Sequence, residues 1–68
     1  MKKFHEKLKE LRTQLGISQD KVAKDMGLTR AAYANYEQGI REPSLEILKV
    51  ICDYYDVTAD YLIGREEY

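Results

Sequence analysis

The sequence predicts an all-α fold of five short helices around one hydrophobic core. Apolar residues recur at three- and four-residue spacings along the chain, and no segment shows the two-residue alternation of a β-strand. A serine or threonine precedes each of the last four apolar runs, where its side-chain oxygen can cap the free amides of a helix. Glycine follows four of the runs, as is common at helix C-termini.

The first two helices are predicted from apolar stripes that end at glycines. Within one narrow sector of a helical wheel, the first stripe comprises Phe4, Leu8, Leu11 and Leu15. Gly16 ends this helix, and Ser18 then caps a short second helix that stops before Gly27. The apolar positions of the second helix are Val22, Ala23 and Met26.

Thr29 caps the third predicted helix, which covers Arg30–Gln38 and ends at Gly39. Residues 40–43 form a loop, because Pro43 disfavours helical backbone at the residue before it. The loop therefore separates the third helix from those that follow.

Two further helices complete the prediction. Ser44 caps a fourth helix that runs from Leu45 to about Tyr55. Thr58 caps a final short helix that continues through Leu62. Gly64 ends that helix.

Composition indicates a compact soluble protein rather than a disordered or membrane-spanning chain. Of the 68 residues, 44% are hydrophobic and 34% are charged. A chain of this length is expected to form one domain over residues 1–68, and it buries only about 60% of its unfolded surface. No apolar run follows the basic N-terminus, so neither a secretory signal nor a membrane anchor is predicted. We therefore expect a cytoplasmic protein in which the single cysteine, Cys52, is a buried thiol.

Charge is unevenly distributed, although the net charge is only −1. Residues 1–30 carry eight Lys/Arg and four Asp/Glu, whereas residues 31–68 carry three Lys/Arg and eight Asp/Glu. A dipolar molecule of this kind can turn a basic face toward phosphates while its acidic end stays in solvent. The alternative is a mixed, solvated surface without such a partner.

Residues 19–38 have the spacing of two short helices that cross at a steep angle. The residues predicted to face the core from these helices are Val22, Met26, Tyr33 and Tyr36. Ala23 is small where the helices approach each other, Gly27 allows a tight turn, and Leu28 anchors that turn on the core. An unrelated helical hairpin would share single features, but their combination is typical of a helix-turn-helix.

Over nearly its whole length the sequence resembles the Cro and phage-repressor family of helix-turn-helix regulators. The segments that carry this resemblance are Leu15-Gly16-Ile17-Ser18-Gln19, Tyr36-Glu37-Gln38-Gly39, Arg41-Glu42-Pro43-Ser44-Leu45 and Val57-Thr58-Ala59-Asp60-Tyr61-Leu62. The resemblance implies a lambda-repressor-like fold that binds double-stranded DNA with its third helix in the major groove. It also implies a sequence-specific transcriptional regulator, expected to be a repressor that acts as a homodimer on a palindromic operator.

The resemblance implies that four residues face base edges: Thr29, Arg30, Ala31 and Asn35. The Arg30 guanidinium suits the O6 and N7 atoms of guanine, and the Asn35 amide suits the N6 and N7 atoms of adenine. Ala31 and the methyl group of Thr29 suit a thymine methyl. The alternative is an ordinary solvated helix face, with Thr29 acting as a cap in either case.

Further positions carried over from the family are expected either to contact the DNA backbone or to stabilise the fold. Gln19, Gln38 and Arg41 are implied phosphate contacts, which fix register without reading sequence; the alternative is simple surface polarity. Arg12 and Glu37 resemble the paired charges of the family. We interpret this pair as mainly structural, because an unpaired carboxylate near DNA would be repelled.

Tyr33 departs from the family pattern, since a branched aliphatic residue is more usual at this core position. Its hydroxyl needs either a polar partner or an exit to the phosphate-facing surface. We therefore expect the third helix to be seated slightly differently from its counterparts.

The fourth helix carries more apolar surface than one core needs. The stripe expected to face inward is Leu45, Leu48, Ile51, Cys52 and Tyr55. Because soluble monomers rarely expose a large apolar patch, a second stripe beside it is the predicted dimer interface. That interface comprises Ile47, Val50 and Tyr54, with Tyr61 from the last helix. The alternative is that residues 63–68 cover the patch within a monomer.

Nothing in the sequence indicates an enzyme, a cofactor or a metal ion. His5 is the only histidine, and the chain has neither a metal-ligand cluster nor a glycine-rich phosphate loop. The rival interpretation is an antitoxin-like or adaptor module whose Ile47, Val50 and Tyr54 face binds a toxin or another regulator. The presence of Arg30, Asn35 and Gln19 on the side expected to face DNA argues against it.

Overall fold

The computed structural model describes residues 2–64, which form five helices with no strand among them. The helices are α1 Lys2–Leu15, α2 Gln19–Met26, α3 Arg30–Gln38, α4 Leu45–Tyr55 and α5 Ala59–Leu62. This arrangement confirms the predicted all-α, five-helix fold. Within the described part of the chain, each predicted helix is present close to its expected bounds.

Side-chain caps begin the last four helices at the predicted residues. The caps are Ser18, Thr29, Ser44 and Thr58, and each hydroxyl oxygen accepts a hydrogen bond from the amide three residues later over 3.0 to 3.2 Å. Gly27 and Gly39 end α2 and α3 in the left-handed conformation, with φ of 75° and 76°. Asp56 ends α4 in the same region with φ of 55°, a stop that the sequence pattern did not reveal.

The core is one cluster to which all five helices contribute. Its buried members are Phe4, Leu8, Val22, Ala23, Tyr33, Ile51, Tyr55 and Leu62. A ring of half-buried apolar residues packs against them, including Leu11, Met26, Leu28 and Tyr36. The predicted stripes of the first three helices therefore meet in one place, which seats α3 on α1 and α2.

Two leucines expected in the core lie outside it. Leu15 is 58% exposed and Leu45 is 81% exposed. Leu15 is the last residue of α1 and Leu45 is the first residue of α4. Each therefore stands at a helix end rather than within the turns that pack on the core.

The helix α4 is turned relative to the predicted stripe. Its core face is centred on the buried Ile51 and Tyr55. Ile47 and Tyr54 flank that centre on one side, while Leu48 and Cys52 flank it on the other, and all four are half-buried. Apart from the exposed Leu45 and Val50, the two stripes predicted for this helix thus form a single broad face that packs on the core of the same chain.

Candidate nucleic-acid interface

The pair α2 and α3 forms the helix-turn-helix that the sequence predicts. The two helices pack directly against each other, with Val22, Ala23 and Tyr33 buried in the shared core. Gly27 turns the chain, and the amide of Leu28 donates to the carbonyl of Ala23 over 2.8 Å. These contacts fix the angle at which α3 leaves the turn.

The residues predicted to contact bases lie from the N-cap of α3 to just past the middle of the helix. Thr29, Arg30 and Ala31 are exposed, and Asn35 is half-buried one turn and a residue further on. The Thr29 hydroxyl accepts from the Ala32 amide, so this residue caps the helix. No acidic side chain in residues 2–64 pairs with the Arg30 guanidinium, which leaves an exposed cation at the start of α3.

The residues predicted to contact phosphates lie at three separate points around this face. Gln38 is exposed at the end of α3, and Arg41 is exposed in the loop that follows. The backbone amides of Ile40 and Arg41 both donate to the carbonyl of Asn35, over 3.0 and 3.3 Å. These bonds tie the loop to the last turn of α3. Gln19 is half-buried at the start of α2.

Glu37 lies at the centre of a polar cluster beneath this face. Its carboxylate accepts from Arg12 through Nε at 2.7 Å and Nη2 at 3.3 Å, and from Gln19 Nε2 at 3.1 Å. Arg12 Nη1 also donates to the carbonyl of Ile17 over 2.8 Å. Arg12 therefore joins α1, the turn before α2 and the end of α3.

Both partners of this ion pair are held in their charged forms. Burial alone would raise the pKa of Glu37, but the hydrogen bonds from Arg12 and Gln19, together with the neighbouring Tyr33 hydroxyl, outweigh it and lower that pKa below its ordinary value. The hydrogen bond to Glu37 raises the pKa of Arg12. The Glu37 carboxylate next to the expected DNA surface is thus ionised, with its negative charge balanced by that of Arg12.

Tyr33 meets its need for a polar partner inside the core. Its hydroxyl oxygen lies 2.6 Å from that of Tyr55. The Tyr33 side chain is fully buried, so the alternative of an exit to the surface is wrong. Burial, with the neighbouring Tyr55 and Glu37, raises the pKa of Tyr33 far above its ordinary value.

The Tyr33–Tyr55 pair and the link between Gln19 and Glu37 were missed by the sequence reasoning. A signal for the tyrosine pair was present, because two tyrosines occupy core-facing stripes and each buried hydroxyl needs a partner. The Gln19 link had no comparable signal, because a polar residue at the start of a helix is ordinary.

Three of the four residues of the predicted dimer interface are engaged within their own chain. Tyr54 donates from its hydroxyl to Asp25 Oδ2 over 2.7 Å, and this bond raises the pKa of Tyr54 to about 12. Ile47 is half-buried against the core, and Lys7 Nζ lies 4.4 Å from the centre of the Tyr61 ring. Val50 is the exposed member of the four, at 38%.

An apolar groove of about 420 Å³ opens between α4 and α5. It is lined by Leu45, Leu48, Lys49, Cys52, Asp53, Val57, Thr58 and Ala59. Cys52 is half-buried here rather than fully buried, and its burial raises the pKa of the thiol. Of the segment predicted as an alternative cover, residues 65–68 lie outside the described residues, and Ile63 is half-buried.

Two further observations on the described residues concern metal binding and membrane insertion. Across residues 2–64, the structure contains no group of three or more His, Cys, Asp or Glu side chains arranged to hold a metal ion. Within that same range, none of the helices has the length and apolar character needed to cross a membrane.

Comparison with known proteins finds the helix-turn-helix motif in this chain as well. A family model described as helix-turn-helix matches residues 8–62. The HTH-type transcriptional regulator AnsR of Bacillus subtilis is 42% identical over 62 residues, which cover 91% of this chain and 53% of AnsR. The transcriptional repressor RstR of the cryptic phage CTXphi of Vibrio cholerae is 30% identical over 64 residues, which cover 94% and 58%.

A third relative has nearly the same length as the chain. The uncharacterized HTH-type transcriptional regulator YgzD of Bacillus subtilis is 36% identical over 61 residues, covering 90% of this chain and 92% of YgzD. By contrast, the chain spans about half the length of AnsR and slightly more of RstR.

Proposed function

Because the chain belongs to the helix-turn-helix family of Cro and phage-repressor type, we propose that it binds double-stranded DNA with sequence specificity. The helix α3 enters the major groove with its N-terminal half toward the bases. One observation carries this proposal: the exposed Arg30 guanidinium stands at the start of a helix that the Glu37 cluster seats firmly. We further propose a non-enzymatic regulator that acts in the cytoplasm without a cofactor.

Arg30 and Asn35 supply base recognition in this proposal. An exposed guanidinium can form two hydrogen bonds to one guanine, and an amide can do the same with adenine. Ala31 and Thr29 add apolar contacts to thymine methyl groups. These four side chains define a reading face of this chain's own, so its base preference does not carry over from its relatives.

Gln19, Gln38 and Arg41 fix the register by contacting phosphates on either side of the groove. Gln19 lies at the N-terminus of α2, where free amides and the helix dipole also favour an anion. Arg41 is supported by the two backbone hydrogen bonds that tie its loop to α3. Such contacts supply affinity that depends strongly on salt.

We propose a homodimer that pairs through the α4–α5 end of the domain. Val50, on the predicted interface, and the groove beside Leu45 are the apolar surfaces that favour such a contact. A two-fold dimer addresses half-sites about 10 to 10.5 base pairs apart, so the operator is palindromic. Repression is the expected outcome, since a dimer on an operator that overlaps a promoter blocks it; the relative RstR is a repressor by name.

A second candidate function is an adaptor or antitoxin-like module. The groove between α4 and α5 favours it, because an apolar groove of this size suits an apolar segment of another protein. In that case the groove is the working surface and DNA binding is secondary.

Selection of bound duplexes from a random pool tests the proposal, followed by binding of the selected duplex at 50 and 200 mM salt. A protein with six to ten phosphate contacts loses about 10³- to 10⁵-fold in affinity between these concentrations. The proposal predicts an enriched palindrome and a steep loss of affinity with salt. A pool that remains random, with no duplex bound at 50 mM salt, would contradict DNA binding and favour the adaptor.

A further inference from the structure

The outer edge of α4 combines an apolar residue with two opposite charges. Leu45, Lys49 and Asp53 follow one another at intervals of four residues, so they form one ridge along the helix surface. All three residues are exposed, and Leu45 is 81% exposed. The same three side chains line the apolar groove between α4 and α5. The ridge and the groove therefore form one continuous surface.

The two charges of this ridge have no ion-pair partner among residues 2–64. Lys21 and Asp25 on α2 have the same four-residue spacing, and there the Nζ and Oδ2 atoms form an ion pair at 3.2 Å. On α4 the corresponding pair, Lys49 and Asp53, stays open. Both charged groups are thus available to a second molecule.

The order of these charges makes the ridge complementary to a second copy of itself. Two copies of α4 can cross antiparallel about a two-fold axis that passes midway between residues 49 and 53. Lys49 of each copy then meets Asp53 of the other. A parallel crossing would set Lys49 against Lys49 and Asp53 against Asp53, and such contacts between like charges are unfavourable. The charges therefore select the antiparallel orientation.

The same antiparallel crossing brings Leu45 to the groove of the other copy. Residue 45 lies six positions before the midpoint at residue 51, and residue 57 lies six positions after it. Leu45 of one copy is therefore opposite Val57 of the other, and Val57 lines the groove. Removal of this exposed leucine from water favours association, because burial of apolar surface lowers the free energy.

We propose that a second copy of this chain occupies the groove, with its Leu45 inserted and with two symmetric ion pairs between Lys49 and Asp53. This inference rests on the homodimer of the proposed function and specifies the contact that forms it. Val50 lies three residues before Asp53 and is 38% exposed, which places it at the margin of the same contact.

A charge exchange between two variants tests the inference. Lys49→Glu gives a copy with carboxylates at both positions, and Asp53→Lys gives a copy with ammonium groups at both. Each variant alone should associate with itself about 10- to 100-fold more weakly than the wild type, because both ion pairs become contacts between like charges. An equimolar mixture should restore association to within about threefold of the wild type, since every contact then joins opposite charges.

Two methods measure these associations. Sedimentation velocity gives the dissociation constant of each dimer. Native mass spectrometry, with one variant isotope-labelled, separates the heterodimer from the two homodimers by mass. Lys9→Glu and Glu10→Lys are the matched controls, because they make the same charge changes at exposed positions of α1. Alone and mixed, the controls should change association by less than about twofold.

A second pair of variants tests the insertion of the leucine. Leu45→Ala should weaken association by about tenfold or more, because two leucines per dimer leave the contact. Leu15→Ala is the control, since Leu15 is 58% exposed at the end of α1, and it should leave association unchanged. Equal effects from the two alanine variants would contradict the insertion.

The outcomes separate this inference from the homodimer on which it rests. A wild-type dimer that survives both charge variants, with no preference for the heterodimer in the mixture, would overturn the inference and leave a homodimer that pairs through another face. A wild-type chain that stays monomeric would overturn the homodimer and this inference together. The groove would then be left to a segment of the same chain or to another protein.

Discussion

Arg12 and Glu37 form a two-pronged ion pair across 25 residues of chain, with Nε–Oε2 at 2.7 Å and Nη2–Oε1 at 3.3 Å. The Glu37 side chain is 2% exposed and that of Arg12 is 14% exposed. Because the pair joins α1 to the last turn of α3, it holds the helix that is proposed to read DNA.

Removal of one partner of this ion pair should lower the free energy of unfolding by more than the intact pair raises it. Arg12→Met leaves the nearly buried Glu37 charge unpaired, and we expect it to lower the free energy of unfolding by about 3 kcal/mol. Glu37→Leu should cost less, because Arg12 can still reach solvent. The double variant should fall short of the summed losses by about 1 to 3 kcal/mol in urea denaturation. Strictly additive losses would show that the pair is not coupled.

Stability should fall in acid partly through Glu37. Its pKa in the folded state lies below its ordinary value, which is about 4.3 in an unfolded chain. The stabilisation is therefore fully present above that value and is lost as the pH falls through the lower, folded pKa. Urea midpoints measured from pH 6 to pH 2.5 should show this loss, and Glu37→Gln should reduce it. Glu10→Gln, which removes an exposed carboxylate, is the control for net charge; an equal effect from both variants would contradict the prediction.

Arg30→Ala should relax base preference at one position of the operator. The expected loss on the preferred duplex is about 1 to 3 kcal/mol, with a smaller loss on duplexes substituted at that base pair. The fold should be unchanged, since Arg30 is exposed. Arg41→Ala is the matched variant, and it should weaken all sequences alike. A uniform loss from Arg30→Ala would mark it as a phosphate contact instead.

Val50→Glu should separate the proposed dimer into folded monomers. Val50 is 38% exposed, so a glutamate there can reach solvent in the monomer but not in an apolar interface. Sedimentation velocity measures the association, and affinity for a palindromic duplex should fall with it. Leu45→Glu places the same charge at the edge of the groove. Comparison of its association with that of Val50→Glu shows which of the two faces forms the dimer contact. A wild-type chain that sediments as a monomer well above the concentrations used for binding would refute the dimer.

Local signals in the sequence predicted most of the fold. Ser18, Thr29, Ser44 and Thr58 act as caps because capping needs only the next few residues of the chain. Periodicity gave the approximate phase of each helix, but it could not show which positions the rest of the chain covers. Leu45 is the clearest example, since the predicted stripe placed it inward and it is 81% exposed.

Contacts between distant residues limited the prediction of the candidate site. That the Tyr33 hydroxyl needs a partner followed from burial alone, but Tyr55 lies 22 residues away and only packing brings the two together. The hydrogen bond from Tyr54 to Asp25 arises in the same way across 29 residues. Because of this bond Tyr54, which was expected to lie free at a dimer interface, is attached to α2 of its own chain.

Mapping of the bound surface by NMR tests whether α3 is the part of the chain that meets DNA. The isotope-labelled chain is titrated with the selected duplex, and backbone amide shifts are followed residue by residue. We predict the largest changes at Gln19, at residues 29–35 and at Arg41, all saturating with one dissociation constant. Changes confined to the groove between α4 and α5, with residues 29–35 unaffected by a bound duplex, would contradict the account.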